Sequence, residues 1–238
     1  MILDLIFPKI CSCCNSLARE NIICDLCLSN VRLIGGRKIC VKCGLPFGLD
    51  NSIEHIRYDE HLCGKCLMGT YCFDRARSVA LYEGWLREIL HRFKYQGKLG
   101  LGRVLTRILA EHYPSDLDDI DLITAVPLYI GKLRTREFNQ SIVIAQDLAK
   151  RLKVPFNAFA LKKVRDTRPQ YEMGNETERR RNVRGAFVVE DTRKVSGKSI
   201  LLFDDVFTTG STLNECTRVL LKAVVIKVQV LTLMRTIN

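Results

Sequence analysis

No uncharged apolar run in the sequence approaches the ~18 residues that a membrane-spanning helix needs. Residues 1–10 are apolar, but they carry Asp4, lack a basic n-region and lead straight into cysteines, so they are not expected to act as a signal peptide. The expectation is a soluble, cytoplasmic chain without a transmembrane segment. Neither G-x-x-x-x-G-K-[ST] nor G-x-G-x-x-G occurs. Gly197-Lys198-Ser199 has Thr192 where the first glycine of a P-loop belongs, and Gly100-Leu101-Gly102 does not extend into a dinucleotide fingerprint. Aromatic residues are only 8% of the chain and, Tyr171 apart, are not interleaved with its most basic stretch, which weakens the case for a base-stacking platform. Acidic residues are in deficit, 26 against 37 basic, for a formal charge of +11. This balance favours anionic partners without choosing among them.

The 238 residues suit one large domain or two small ones, and 47% hydrophobic with 26% charged residues is ordinary globular usage. Cysteine is distributed unevenly. Ten of the eleven lie between Cys11 and Cys72, and only Cys216 lies beyond, which marks a cysteine-rich module at 1–74 ahead of a second domain at 75–238. Reduced thiols at this density point to metal ligation ahead of disulfides. Eight fall into four C-x-x-C pairs: Cys11/Cys14, Cys24/Cys27, Cys40/Cys43 and Cys63/Cys66. A two-residue spacer lets one turn aim both thiolates at a single ion, and two turns complete a tetrahedron with Zn–S of about 2.3 Å. Two structural Zn²⁺ are therefore expected, leaving a net charge of about +7. Sequential and cross-braced pairing both fit the spacing. Cys13, His55 and His61 could substitute for a ligand, whereas Cys72 reads as a buried small hydrophobe. Closed four-thiolate sites have no open position for catalysis, so they either hold a module with little core of its own or grip a nucleic acid or protein.

After Phe73 the pattern changes to strands alternating with amphipathic helices. Residues 77–83 read as a strand, and Trp85, Leu86, Ile89, Leu90 and Phe93 line one helix face. A second helix runs to about His112, with His91 and His112 as surface residues. Strands follow at 121–128, 186–190, 199–203 and 224–233, with helices at 141–152 and 211–221. This alternation predicts an α/β domain with a mostly parallel sheet flanked by helices, whose ligands bind at the carboxyl ends of strands. Residues 162–184 hold eight basic and four acidic side chains without clean periodicity. They read as a mobile loop able to close over an anion, or as a solvated basic face.

The segment 200–212, I-L-L-F-D-D-V-F-T-T-G-S-T, carries the most chemistry. An apolar strand ends at Asp204 and Asp205 and passes through a loop rich in hydroxyls and glycine into a helix. Backbone N–H groups of Thr208, Thr209, Gly210, Ser211 and Thr212 at a helix N-terminus make a nest for a phosphate. The two carboxylates can accept hydrogen bonds from vicinal sugar hydroxyls and help position Mg²⁺. Phosphate on one side and diol on the other describe a ribose 5-phosphate.

Residues 200–212 resemble the signature of type I phosphoribosyltransferases, which bind 5-phosphoribosyl 1-pyrophosphate with Mg²⁺. The rest of the chain is similar to the ComF family associated with DNA uptake in natural competence. The shared elements are L-D-L-I-F-P-x-x-C-x-x-C at the start, F-K-Y-Q-G at 93–97, V-P-L at 126–128, R-x-R-x-F-N-Q at 134–140, T-R-P-Q at 167–170 and R-x-N-V-R-G-A-F at 180–187. The resemblance implies a type I phosphoribosyltransferase-like domain behind a double zinc ribbon. In it Asp204 and Asp205 would bind the ribose hydroxyls and stabilise the developing cationic sugar, while Val206, Phe207 and the 208–212 loop would hold the 5-phosphate end. Residues 128–132, Leu128 and Tyr129 among them and ending at Lys132, would form the diphosphate loop, followed by Arg134 and Arg136 and joined by Arg165 and Arg168 of the basic stretch. Glu137 departs from the glycine usual before F-N-Q. Asn139 and Gln140 read equally as ligand contacts or helix caps. The resemblance also supports a rival role, a non-catalytic component of the uptake machinery that binds single-stranded DNA or a partner such as a competence-associated helicase.

Overall fold

In residues 200–203 successive side chains point to opposite faces of a strand, and the core divides accordingly. Leu201 and Phe203 join one buried cluster, Ile200 and Leu202 another. The computed structural model describes residues 10–18, 23–48, 61–97, 100–168 and 174–237, and builds these clusters on the two faces of a four-stranded parallel sheet. His55, Tyr171 and the start of the N-terminal motif lie outside the described residues. In chain order the elements are α1 (Asp25–Ser29), α2 (Gly64–Leu67), β1 (Arg75–Leu81), α3 (Gly84–Tyr95), α4 (Gly100–Glu111), β2 (Leu122–Ala125), α5 (Ile130–Arg136), α6 (Gln140–Leu152), β3 (Lys162–Lys163), α7 (Glu176–Val183), β4 (Phe187–Val188), β5 (Ser199–Phe207), α8 (Ser211–Lys222) and β6 (Lys227–Arg235). The sheet order is β1-β6-β5-β2, and β3 pairs with β4 in a separate antiparallel ribbon. Among the described residues no helix is long and apolar enough to cross a membrane.

The cysteine-rich segments are built into this sheet. β1 pairs with β6 along one side, and its other edge is covered: Ala76 N–H donates to Lys42 O at 2.7 Å, and Leu81 N–H donates to Arg32 O at 2.9 Å. An uncovered strand edge would template aggregation. Cys11, Ala18, Ile23 and Cys27 join the cluster under α3, α4 and α6, whereas Cys40, Cys43, Cys63, Cys66, Tyr71 and Phe73 join the one under α8. Each face of the sheet thus continues into its own cysteine quartet.

Several local expectations are corrected. Cys72 is exposed: Tyr71 and Phe73 on either side of it turn inward, which sends the thiol outward. The described part of 162–184 contains β3 and α7 despite its lack of an apolar period. Helix α5, not expected from the pattern, occupies 130–136. The expected strand at 186–190 shrinks to Phe187–Val188, and β1 starts at Arg75, two residues before the expected 77.

Candidate functional site

Strand β5 is buried between β6 and β2, which leaves its carboxyl end as the point where polar groups can emerge. There Asp204 accepts a hydrogen bond from Ser141 Oγ at 3.1 Å and from the Asp205 N–H at 2.9 Å. Asp205 forms an ion pair with Lys94 Nζ at 2.6 Å. Burial, and then the charge of Asp205, push the Asp204 carboxyl up to about 7, against the pull of Lys94 and the two hydrogen bonds. Burial works against the Lys94 ammonium, but Asp205 and then Asp204 outweigh it and hold it above the ordinary lysine range. A carboxyl with raised proton affinity, beside an ion-paired carboxylate and lysine, is the kind of perturbed cluster expected of a working site.

The elements that aim these groups are tied together by F-N-Q. Asn139 caps α6 by accepting from Ser141 N–H and Ile142 N–H, and its amide donates to Val126 O at 3.0 Å, which pins the helix start to the end of β2. Gln140 Nε2 donates to Lys94 O at 3.2 Å, joining α6 to α3. Both residues are therefore engaged in structure, as cap and tie. Past β5 the chain turns at Gly210, in the left-handed region (φ 73°), into α8. The N-cap residue Gly210 has no side chain with which to cap α8, and Thr209 Oγ1 lies 2.9 Å from Ser211 Oγ. N–H groups at a helix start carry partial positive charge.

A cavity of about 720 Å³ opens beside this tip. Its wall includes Lys94, Leu128, Lys132, Arg136, Lys163, Arg168 and Thr212, with Glu137 as its acidic member. Lys132 and Lys163 converge on Thr167, the first donating to its carbonyl at 2.9 Å and the second to its hydroxyl at 2.7 Å. Burial, and then the facing Lys132 charge, pull Lys163 below the ordinary lysine range. Two ammonium groups this close favour an anion between or beside them.

Not every candidate from the sequence meets here. Asp204, Asp205 and residues 208–211 lie next to the cavity, behind Lys94 and Thr212, and do not form its wall. Arg134 is exposed and absent from the wall, and Tyr129 serves as the N-cap residue of α5. Arg165 is spent on the carbonyls of Asn182 and Arg184. Val206 packs against the core and Phe207 is fully buried behind the loop. Lys132, in the expected 128–132 stretch, and Lys163, in the expected basic stretch, do line the wall, whereas Lys94 and Ser141 are site residues that pattern reading did not single out. Lys94 lies inside F-K-Y-Q-G, but only the fold reveals its partner.

The cysteines meet in two sequential quartets, Cys11, Cys14, Cys24 and Cys27, and Cys40, Cys43, Cys63 and Cys66, with the Sγ atoms of each within 4.8 Å of one another. The Cys14–Cys24 and Cys43–Cys63 Sγ distances are 3.6 and 3.5 Å, close to the ~3.8 Å edge of a zinc–thiolate tetrahedron. Each quartet repeats one device. Cys11 Sγ accepts from Cys13 N–H and Cys24 N–H, and Cys40 Sγ accepts from Cys43 N–H and Cys63 N–H. Such donors stabilise thiolate, and Cys40 is pulled down to about 4, by the Cys43 thiol first and the backbone donors after it. Both sets fit a structural Zn²⁺ as closed four-thiolate sites.

Comparison with known proteins agrees with these two halves. A double zinc ribbon domain matches residues 2–69, and a phosphoribosyl transferase domain matches residues 139–237. The chain is 32% identical over 221 residues to DNA utilization protein YhgH of Escherichia coli O157:H7, covering 90% of this chain and 91% of that protein. It is 28% identical over 217 residues to competence protein F of Haemophilus influenzae (89% of each). It is 26% identical over 207 residues to competence protein ComFC of Bacillus subtilis (84% of this chain, 78% of that protein). The chain belongs to the ComF family. Against the family pattern, this ComF-family chain places Glu137 at the C-cap of α5 in the left-handed region (φ 65°), a conformation that glycine adopts without steric cost.

Proposed function

We propose that the cavity at the end of β5 binds 5-phosphoribosyl 1-pyrophosphate with Mg²⁺, and that the chain transfers the phosphoribosyl group to an acceptor in the service of DNA uptake. The observation that carries this reading is the pair Asp204 and Asp205 at the strand tip, flanked by the 208–212 helix start and by a wall of cations across the cavity. The carboxylates accept hydrogen bonds from the vicinal hydroxyls and lie beside the sugar carbon that becomes cationic as diphosphate departs. The helix-start N–H groups and nearby hydroxyls hold the 5-phosphate. Lys132, Lys163 and Arg168 face the departing diphosphate and stabilise its charge as it develops. Mg²⁺ would supply charge neutralisation for the diphosphate, and Asp204 and Asp205 are the oxygen donors that fit it. Titration calorimetry tests the reading. Wild type is expected to bind the Mg²⁺ complex of 5-phosphoribosyl 1-pyrophosphate, and the Asp204→Asn, Asp205→Asn double variant to lose that binding. An inert wild type rules out the site, and an unaffected double variant rules out the assigned roles.

A second reading is favoured by a ridge beside the cavity. The His91 and Tyr95 rings lie 4.6 Å apart, and the Arg136 guanidinium sits 4.7 Å over Tyr95. Arg87 and Arg92 line a neighbouring hollow of about 360 Å³. Neighbouring aromatic rings, tilted by 43° to each other and interleaved with cations, suit single-stranded nucleic acid, in keeping with the relatives named for competence and DNA utilization. Affinity for an oligonucleotide should fall steeply with salt, and Arg136→Ala should reduce that slope by about one. A salt-independent affinity, or a slope untouched by the variant, removes the ridge from consideration.

A further inference from the structure

Beyond the last ligand of the second cysteine quartet, the chain turns at Gly69 (φ 66°) and runs through 70–73 directly beneath the 208–212 loop. Tyr71, only 6% exposed, donates its hydroxyl to Thr209 O at 3.0 Å. Its ring stacks on Phe73 at 4.9 Å and meets the edge of Phe207 at 6.0 Å. Gly210 is pressed onto this wall: a Cβ there would lie 2.6 Å from Phe207 Cζ and 3.0 Å from Tyr71 Cε1. Asn214, in the first turn of α8, accepts from Cys72 N–H at 2.6 Å and donates to Thr70 O at 3.3 Å. The bracket closes on the other side. Arg235 lies 4.7 Å over the Phe207 ring and donates to the carbonyl of Cys43, a member of the same quartet, at 2.7 Å.

We propose that the second zinc ribbon is a working part of the sugar-phosphate site, with Tyr71 as the residue that positions the 208–212 loop. The proposal rests on the phosphoribosyl reading above. The geometry makes the coupling concrete. Thr209 C=O and Gly210 N–H belong to one planar trans peptide and point in opposite directions. Fixing the carbonyl to Tyr71 therefore aims the Gly210 N–H away from the ribbon, to the side that a 5-phosphate would take. Asn214 fixes the helix whose first N–H groups complete that nest. Without the strap, Gly210 is free to rotate, because a residue with no Cβ has little to hold it in the left-handed region.

Tyr71→Phe keeps the ring wall and removes the hydroxyl. It should retain about two zinc ions per chain and exchange the amide hydrogens of 208–212 several-fold faster. It should bind ribose 5-phosphate and 5-phosphoribosyl 1-pyrophosphate about five- to tenfold more weakly, the value of one such hydrogen bond. Binding of Mg²⁺-diphosphate alone should not change. Asn214→Ala, with Tyr71 intact, should give the same pattern from the helix side and stands in if the first variant does not fold. Unchanged loop exchange, or equal weakening of ribose 5-phosphate and diphosphate, overturns the proposal. A wild type that binds none of these probes overturns the phosphoribosyl reading instead. Loop exchange then decides the coupling alone: faster exchange in the variants sustains it and unchanged exchange refutes it.

Discussion

Asp204 and Glu137 show how single side chains set the behaviour of the site. With its carboxyl pushed up to about 7 by burial and by Asp205, Asp204 is mostly protonated at pH 6 and mostly ionised at pH 8. A ligand that needs the carboxylate must first remove that proton, at about 1.4 kcal/mol for each pH unit below the pKa. Affinity for Mg²⁺ and 5-phosphoribosyl 1-pyrophosphate should therefore rise roughly tenfold from pH 6 to pH 8 and then level off. Asp204→Asn should bind weakly and show only the ligand's own titration. Calorimetry across that range checks both, and a wild-type profile parallel to that of the variant would exclude Asp204 as the titrating group. Glu137 is a different case. A left-handed conformation costs a side-chain-bearing residue about 1–2 kcal/mol, and this one also sets a negative charge in a cationic wall. Glu137→Gly should raise the melting temperature by roughly 2–4 °C and tighten binding of the anionic ligand together. A lower melting temperature would mean that the carboxylate is stabilised by contacts that outweigh the strain.

Elements were legible where they bury a stripe. The pattern from Trp85 to Phe93 predicts α3, whose buried residues are Leu86, Ile89, Leu90 and Phe93, and the expected 141–152 helix differs from α6 by one residue. Helix α5 buries nothing and α7 buries only Val183, so neither carries an apolar period to read. The site divides in the same way. Asp204 to Thr212 is contiguous and could be recognised, whereas Lys94 and Ser141 reach it from other elements, and Tyr71 from a module whose composition speaks only of metal. Asn139 links the two levels, because capping α6 is what sets Ser141 beside Asp204. Asn139→Ala should cost about 1–2 kcal/mol as a lost cap, lowering the melting temperature, and should weaken ligand binding through the displaced Ser141. A variant that melts like wild type would show the cap to be idle.

At the scale of the whole molecule, the two cysteine quartets extend opposite faces of one sheet, and the chain between them, with the Cys40–Cys43 turn of the second, covers the β1 edge. The ribbons are thus structural walls of the α/β domain, and zinc binding is coupled to that domain's integrity. Structural zinc contributes apparent free energies of about 10–16 kcal/mol in small zinc modules, comparable with the ~5–15 kcal/mol that stabilises an entire fold. Chelation should accordingly do more than loosen the first third of the chain. The Ala76 and Leu81 amides, which donate to Lys42 and Arg32, should lose protection from hydrogen exchange. The amides of β1 that face β6 should stay protected longer, because their partners belong to the sheet itself. The exposed edge is then free to pair with a second molecule, so aggregation should follow in a concentration-dependent manner. Exchange measured by mass spectrometry before and after zinc removal reads both sides of the strand. Retained protection at Ala76 and Leu81 in zinc-free protein would show that the edge is held without the metal, and would leave the ribbons as appendages to the domain.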